Sequence, residues 1–191
     1  MSDAEHDLLE LLKARSFRSG TFKLASGATS SYYIDGRMSA VCSAGAFLIG
    51  RVLYEWTKDI AFDCIGGLEV GAVPLTAAAA IHYHLNGRAV EGFWVRDKAK
   101  AHGTRKLVEG GLKPNDRVVV LDDVITSGGS ALKAVEAVRE LGCEVVQVLA
   151  LVDRLQGAGA LFRARGIEYR SVFTIRDFGV DVPDTVAATA D

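Results

Sequence analysis

Apolar and polar side chains recur along the chain with two different periods, which predict where helices and strands lie. The four leucines between positions 8 and 12 form an apolar stripe at helical spacing, which predicts a helix over residues 3–15. The segment GTFKLASGATSSYYIDGR, residues 20–37, instead alternates apolar and polar positions on both sides of a Ser-Gly pair. That alternation is typical of a β-hairpin, so the chain is expected to begin with a helix and a hairpin.

Beyond the hairpin, short apolar strands alternate with helices. Strands are predicted at residues 61–68, 88–96, 118–121, 143–154 and 167–175, and helices at residues 43–57, 74–84, 129–141 and 158–165. This alternation predicts an α/β fold with a central parallel sheet covered by helices on both faces. Ligands of such sheets bind beyond the carboxyl ends of the strands. Three strand ends carry notable groups: Gly66-Gly67, Asp122-Asp123 and Asp153-Arg154.

One connection is much longer than the others. Residues 97–116, DKAKAHGTRKLVEGGLKPND, show no convincing periodicity, and their first half is strongly basic. Loops of this length in compact domains are usually lids or disordered segments. A basic lid indicates an anionic substrate that must be shielded from water, whereas a solvated surface loop is the alternative. The last residues, 180–191, are expected to form a loose tail.

Composition and charge narrow the class of protein. A chain of 191 residues, 49% of them apolar, fits a single domain over residues 1–191. The net charge of −2 does not favour nucleic acid as a partner. No apolar run approaches the ~20 residues that a membrane helix needs, so no membrane partner is expected. The three cysteines, Cys42, Cys64 and Cys143, are far apart, which predicts core thiols in a reducing cytoplasm.

The turn after the strand at residues 118–121 has the most specific chemistry. Two acids, Asp122 and Asp123, are followed by Thr126-Ser127-Gly128-Gly129-Ser130 and then by a helical pattern. Unpaired N–H groups at a helix start favour an anion, and small residues let a phosphate approach the backbone. The two carboxylates would repel that phosphate, so they are expected to accept hydrogen bonds from sugar hydroxyls. A ribose phosphate satisfies both halves of the motif.

Other interpretations of this turn are weaker. A Walker B strand also ends in an acid, but the chain has no G-x-x-x-x-G-K-[ST] motif. The G-x-G-x-x-G fingerprint of dinucleotide-binding domains is absent as well. An ordinary strand-to-helix turn would explain the serines and glycines but not the paired acids.

The stretch VVVLDDVITSGGS resembles the phosphoribosyl diphosphate (PRPP) motif of type I phosphoribosyltransferases. The resemblance implies the type I fold, with a small N-terminal hood over about residues 1–40. In that family the two acids bind the ribose hydroxyls and the turn binds the 5′-phosphate. The implied PRPP-binding residues of this motif are Asp122, Asp123, Val124, Ile125, Thr126, Ser127, Gly128, Gly129 and Ser130.

Nearly the whole chain resembles the orotate branch of that family. VRDKAKAHG resembles its mobile catalytic loop, which implies that Arg96, Lys100 and His102 reach the diphosphate, in part across a dimer interface. LVDR and SSYYID resemble the segments that bind the base, which implies that Arg154, Tyr32, Tyr33 and Thr126 contact orotate. An arginine fork suits a carboxylate and aromatic side chains suit a flat ring.

The resemblance implies orotate phosphoribosyltransferase activity, which makes orotidine 5′-monophosphate and diphosphate in pyrimidine biosynthesis. It also implies a homodimer and Mg²⁺ bound mainly through PRPP, without a metal site built by the protein. A purine phosphoribosyltransferase and a PRPP-sensing regulator remain alternatives; Arg154 with the tyrosines argues against the first, and the intact loop argues against the second. The chain lacks family lysines at Ala25, at Asp97 and in residues 68–74.

Overall fold

The helices and strands follow one another in the order that the periodicity predicts, with a few additions. The structure is a computed structural model that describes residues 1–23, 29–98 and 107–182. The strands are β1 (Phe17–Lys23), β2 (Thr29–Ile34), β3 (Cys64–Leu68), β4 (Glu91–Val95), β5 (Val108–Gly110), β6 (Arg117–Ile125), β7 (Glu144–Asp153) and β8 (Tyr169–Thr174). The helices are α1 (Asp3–Arg15), α2 (Arg37–Ala40), α3 (Ser43–Thr57), α4 (Ala72–Leu85), α5 (Gly129–Glu140) and α6 (Ala158–Arg163), followed by a 3₁₀ turn (Ile175–Phe178).

The first forty residues form the predicted helix and hairpin. Helix α1 starts with a capping box in which Ser2 and Glu5 satisfy each other's backbone N–H groups, and its apolar stripe is buried. Strands β1 and β2 pair antiparallel, from Phe17 opposite Ile34 to Lys23 opposite Thr29. The tip of the hairpin, which includes Ala25, lies outside the described residues.

The remaining strands form one six-stranded sheet in the order β5-β4-β3-β6-β7-β8. Five of these strands are parallel, and only the edge strand β5 is antiparallel to its neighbour β4. Helices α1, α3 and α4 bury one face of the sheet, and α5 and α6 bury the other. The predicted α/β fold with helices on both faces of a parallel sheet is therefore confirmed.

Two strand predictions need correction. The segment 97–116 is not irregular throughout, because β5 pairs with β4 within it. Strand β6 does not end at Leu121 but continues to Ile125, so that Asp122 and Asp123 lie inside the strand. The cause is the long neighbouring strand β7, whose pairing with β6 extends to Asp153. Periodicity could not show either feature, since both depend on hydrogen bonds to a distant strand.

Three smaller features complete the chain. The short helix α2 and the 3₁₀ turn at residues 175–178 were not predicted. Part of the predicted tail is ordered, since Val180 and Val182 pack against the core; residues 183–191 lie outside the described residues. Within the part of the chain that the structure describes, no helix is both long and apolar enough to span a bilayer.

The middle of the sheet requires a glycine in β3. A Cβ atom on Gly67 would overlap the backbone carbonyl oxygen of Leu121 and crowd the Cβ of Ala72. The neighbouring backbone of β6 cannot move away without breaking its pairing with β7. The lack of a side chain at Gly67 therefore lets β3 lie at pairing distance from β6.

We expect Gly67→Ala to lower the free energy of unfolding by about 2–3 kcal/mol, because overpacking in a rigid interior forces the backbone to shift. For a chain of this size the melting temperature should fall by roughly 5–10 °C, as differential scanning calorimetry can measure. Gly159→Ala in α6 is the control, because a Cβ there meets nothing nearer than 4.0 Å. A Gly67→Ala variant as stable as the control would contradict the packing argument.

Candidate functional site

The candidate site lies where β3, β6 and β7 end side by side. Because these strands are parallel and adjacent, their carboxyl ends meet at one edge of the sheet. The β3–α4 loop follows β3, the turn from Thr126 to Gly128 follows β6, and Arg154 is the first residue after β7. The hood contributes to the same edge, since Gly36 and Tyr32 contact residues of β6 and β7.

The turn between β6 and α5 leaves backbone donors available for an anion. Gly128 has the left-handed backbone conformation (φ +88°), and no side chain caps the start of α5. A side chain at this position would also press on Leu161 and Phe162, at 2.8 and 3.1 Å. Ser127, Gly129 and Ser130 are exposed, so their polar groups face solvent. The first N–H groups of α5 and the nearby hydroxyls can therefore hold a phosphate, as the sequence predicts.

The two acids of β6 point to opposite sides of the strand. The carboxylate of Asp123 lies between two glycines: a Cβ on Gly36 would come within 2.9 Å of its Oδ2, and one on Gly71 would overlap Oδ1. Asp122 lies on the other side and interacts electrostatically with Tyr169. Within the described residues neither acid takes part in a salt bridge. That both bind ribose hydroxyls stays a prediction.

Burial makes these carboxylates harder to ionise. It raises the pKa of Asp122 to about 7, and the adjacent charge of Asp123 adds to the effect. Burial also raises the pKa of Asp123, although the charge of Arg37 acts in the opposite direction. Both acids can therefore exchange hydrogen bonds with the hydroxyl groups of a ligand: an ionised carboxylate accepts them, and a protonated one also donates.

The sequence analysis missed the segment Asp35-Gly36-Arg37. Asp35 binds Arg37 through two short hydrogen bonds, at 2.7 and 2.8 Å, and this contact lowers the pKa of Asp35. Gly36 between them lets the segment lie against Asp123. A glycine between two opposite charges, one residue beyond the tyrosine pair, was the available signal. Gly71 was not predicted as part of the site either. Its contact with Asp123 leaves no room for a side chain at that point of the β3–α4 loop.

At the end of β7, Arg154 is held from two directions. Its Nε donates a hydrogen bond to the hydroxyl oxygen of Tyr32 at 3.0 Å, and its guanidinium lies 4.8 Å from the centre of that ring. The buried carboxylate of Asp153 fixes the following backbone, because it accepts hydrogen bonds from Leu155 N and Tyr169 Oη, each at 2.7 Å. The structure therefore brings two of the predicted orotate contacts together, Arg154 and Tyr32.

The third predicted base contact is placed differently. Tyr33 is 42% exposed and its ring packs against Phe22 at 5.7 Å, whereas Tyr32 is only 7% exposed. Thr126 lies in the turn next to the end of β6 and is half-buried. That these side chains contact orotate stays a prediction.

The basic loop is described only at its two ends. Arg96 forms a salt bridge with Glu109 of β5 at 3.3 Å, and its backbone N–H binds Leu107 O. Asp97 binds Lys133 of α5 at 3.2 Å and Glu69 through its backbone N–H. Lys100 and His102 lie outside the described residues, so the contact of all three cations with diphosphate stays a prediction.

No protein cage for a metal is formed by the residues in place. Over residues 1–23, 29–98 and 107–182, no three His, Cys, Asp or Glu side chains are grouped as metal ligands. The carboxylates at this edge, Asp122 and Asp123, face different sides of the strand. Such a site fits an ion whose ligands come mostly from the substrate's own oxygens.

Comparison with known proteins agrees with this geometry. Residues 42–178 match the phosphoribosyl transferase domain family. The orotate phosphoribosyltransferase of Bradyrhizobium sp. (strain ORS 278) is 43% identical over 175 residues, which cover 90% of this chain and 95% of that protein. The enzyme of that name from Rhodopirellula baltica is 41% identical over 180 residues, covering 91% and 93%. The chain belongs to the orotate phosphoribosyltransferase family.

Solved structures of the family have the same fold. The Mycobacterium tuberculosis orotate phosphoribosyltransferase in complex with Fe(III) dicitrate superposes with a TM-score of 0.82 at 40% identity, covering 93% of this chain and 99% of that one. The same enzyme in complex with PRPP gives a TM-score of 0.79 at 37% identity, with the same coverage. Adenine phosphoribosyltransferase from Leishmania donovani, at 17% identity and a TM-score of 0.64, shares the fold alone. The comparisons therefore favour the orotate branch over the purine alternative.

The raised pKa of Asp122 predicts how stability depends on pH. The folded protein keeps this proton up to about pH 7, whereas the unfolded chain releases it near an ordinary pKa of ~3.9. Stability is therefore lost as the pH rises between these values, and the loss is complete above the folded pKa. Asp122→Asn keeps the shape without the charge, so its melting temperature should exceed that of the wild type at pH 8.

The difference between the two proteins should shrink toward pH 4, where the wild-type side chain is protonated in the folded state. Thermal unfolding at several pH values measures this, with Asp7→Asn on the exposed side of α1 as the control for loss of one charge. An Asn variant that is less stable than the wild type at pH 8 would show that the buried charge has a partner.

Proposed function

We propose that this protein transfers the 5-phosphoribosyl group of PRPP to orotate, giving orotidine 5′-monophosphate and diphosphate for pyrimidine biosynthesis. The observation that carries this proposal is the arrangement of Arg154 beside the β6–α5 turn. One edge of the sheet holds a cation for a carboxylate, two acids for sugar hydroxyls and a helix start for a phosphate. Orotate and PRPP together present these three groups.

The reaction breaks the bond between the sugar carbon C1 and the diphosphate oxygen, and it forms a bond from C1 to a ring nitrogen of orotate. Positive charge develops on the sugar as the diphosphate leaves. Asp122 and Asp123 lie near the end of β6, where they can hold the ribose hydroxyls, and in their ionised form they favour that charge. The turn fixes the 5′-phosphate, so the reacting atoms meet in a defined orientation. No side-chain nucleophile is needed.

The loop and the metal complete the proposal. Mg²⁺ held mainly by the oxygens of PRPP would offset the negative charge of the diphosphate. Lys100 and His102, together with Arg96, supply further positive charge when the loop covers the site. A closed loop also excludes water, which would otherwise hydrolyse PRPP.

A homodimer is part of the same proposal. Large apolar side chains are exposed on and beside α2, α3 and α4: Met38, Val41, Phe47, Val70, Val73, Ile81 and Leu85. These helices pack on the same face of the sheet, so the side chains are available to a second copy of the chain. The protein is proposed to work in the cytoplasm, where its three free cysteines would stay reduced.

The activity and the base site are tested together by Arg154→Ala. Wild-type protein with PRPP and Mg²⁺ should consume orotate, which is followed by the loss of its absorbance. The variant loses the cation for the carboxylate, which commonly costs ~2–5 kcal/mol, so KM for orotate should rise by roughly 30-fold or more while KM for PRPP changes little. Arg163→Ala, which removes an exposed arginine of α6, is the control. A normal KM for orotate in the Arg154 variant would remove this residue from the base site.

Sharing of the loop between subunits is tested with two defective variants. Lys100→Ala should depress kcat strongly and disturb orotate affinity little, because the diphosphate gains charge mainly in the transition state. Asp123→Asn should weaken PRPP binding within its own subunit. In a mixed dimer with the loop acting across the interface, one site collects both defects and the other has neither.

The restored site should therefore recover activity towards half of the normal level per mixed dimer, measured after subunit exchange has been verified with tagged chains. Activity that stays at the level of the parent variants would show that the loop serves its own subunit.

A further inference from the structure

The side chain of Tyr32 is not placed like a surface that stacks on a substrate. It is 7% exposed, its ring lies 6.0 Å from that of Phe17 with an interplanar angle of 26°, and the Arg154 guanidinium lies 4.8 Å from its centre. The ring is thus covered by the protein itself. Its polar end remains in use, since the hydroxyl oxygen accepts a hydrogen bond from Arg154 Nε at 3.0 Å.

A hydroxyl oxygen is an unusual partner for a half-buried arginine such as Arg154. Half-buried arginines are ordinarily paired with carboxylates, which neutralise them. In the described part of the chain, Arg154 has no carboxylate partner, because the adjacent Asp153 is engaged by Leu155 N and Tyr169 Oη. A hydroxyl oxygen can fix the direction of a guanidinium but cannot cancel its charge. A carboxylate in place of the Tyr32 hydroxyl would compete with an anionic substrate for the same cation.

The geometry of the guanidinium also leaves Arg154 available to an anionic substrate. An arginine binds a carboxylate through two parallel N–H groups, taken either from Nε and one terminal nitrogen or from both terminal nitrogens. The hydrogen bond to Tyr32 occupies Nε. The two terminal nitrogens are left to bind a carboxylate end-on, in a direction set by the hood.

We infer that Tyr32 is a positioning residue for orotate, whose hydroxyl holds the Arg154 guanidinium in place without neutralising it, with its end-on pair of donors directed at the substrate carboxylate. This inference rests on the proposed function, and it assigns to Tyr32 a role that acts through Arg154 and not through contact of its ring with the pyrimidine. The two roles predict different results for loss of the hydroxyl alone.

Tyr32→Phe keeps the ring and removes only the hydrogen bond. If Tyr32 acts through Arg154, KM for orotate should rise by about tenfold, while kcat and KM for PRPP should stay within about twofold of the wild type. If the ring itself binds the pyrimidine, Phe should serve as well as Tyr and no constant should change. That second outcome overturns the inference, as does an equal loss in kcat and in both KM values.

Tyr83→Phe is the matched control. Tyr83 is also buried, at 0% exposure, and its hydroxyl also makes one hydrogen bond, to Thr57 Oγ1 at 2.7 Å, but it belongs to α4 and packs in the core against α3. Tyr83→Phe should lower the melting temperature about as much as Tyr32→Phe does, but it should not change KM for orotate. Orotate turnover by the wild type and by this control tests the proposed function separately from the inference.

A double-mutant cycle decides whether the effect passes through the arginine. In an Arg154→Ala background, Tyr32→Phe should cause no further loss of kcat/KM for orotate, because its partner is already absent. Losses that add up would mean that Tyr32 acts independently of Arg154, and the inference would be wrong.

Discussion

The half-buried carboxylate of Asp123 constrains the segments that meet at the edge of the sheet. Its oxygen atoms lie so close to Gly36 and Gly71 that any side chain there would collide with them. The hood and the β3–α4 loop can approach β6 only because both present bare backbone at this point. The acid is also partly desolvated, which raises its pKa and keeps it ready for a hydroxyl donor in place of water. Packing and chemistry are thus set by the same contact.

The start of the basic loop is fixed by charged neighbours. The carboxylate of Asp97 does not stand alone, because Lys133 of α5 reaches it and its backbone binds Glu69. The start of the basic loop is thereby tied to α5 and to the β3–α4 loop.

Much of the fold could be predicted because its signals are local. The bounds of α1 and α3 agree with the apolar periodicity, and the alternation of strands with helices identifies the parallel sheet. The PRPP motif is contiguous, so the phosphate turn could be located without a structure. Strand β5 and the extension of β6 could not, since each exists only by pairing with another strand. The bond between Tyr32 and Arg154 was equally invisible, because it joins residues 122 positions apart.

That separation has a consequence for how the site comes into being. Tyr32 and Gly36 belong to the first elements to leave the ribosome, whereas Asp123 and Arg154 follow after most of the chain has been made. The hood has no partner for its tyrosine hydroxyl until β7 is complete, and Asp123 has no enclosure until the hood folds back over it. The contact between Tyr32 and Arg154 therefore forms late in synthesis, and a shortened chain that ends before β7 lacks Arg154 and cannot make it.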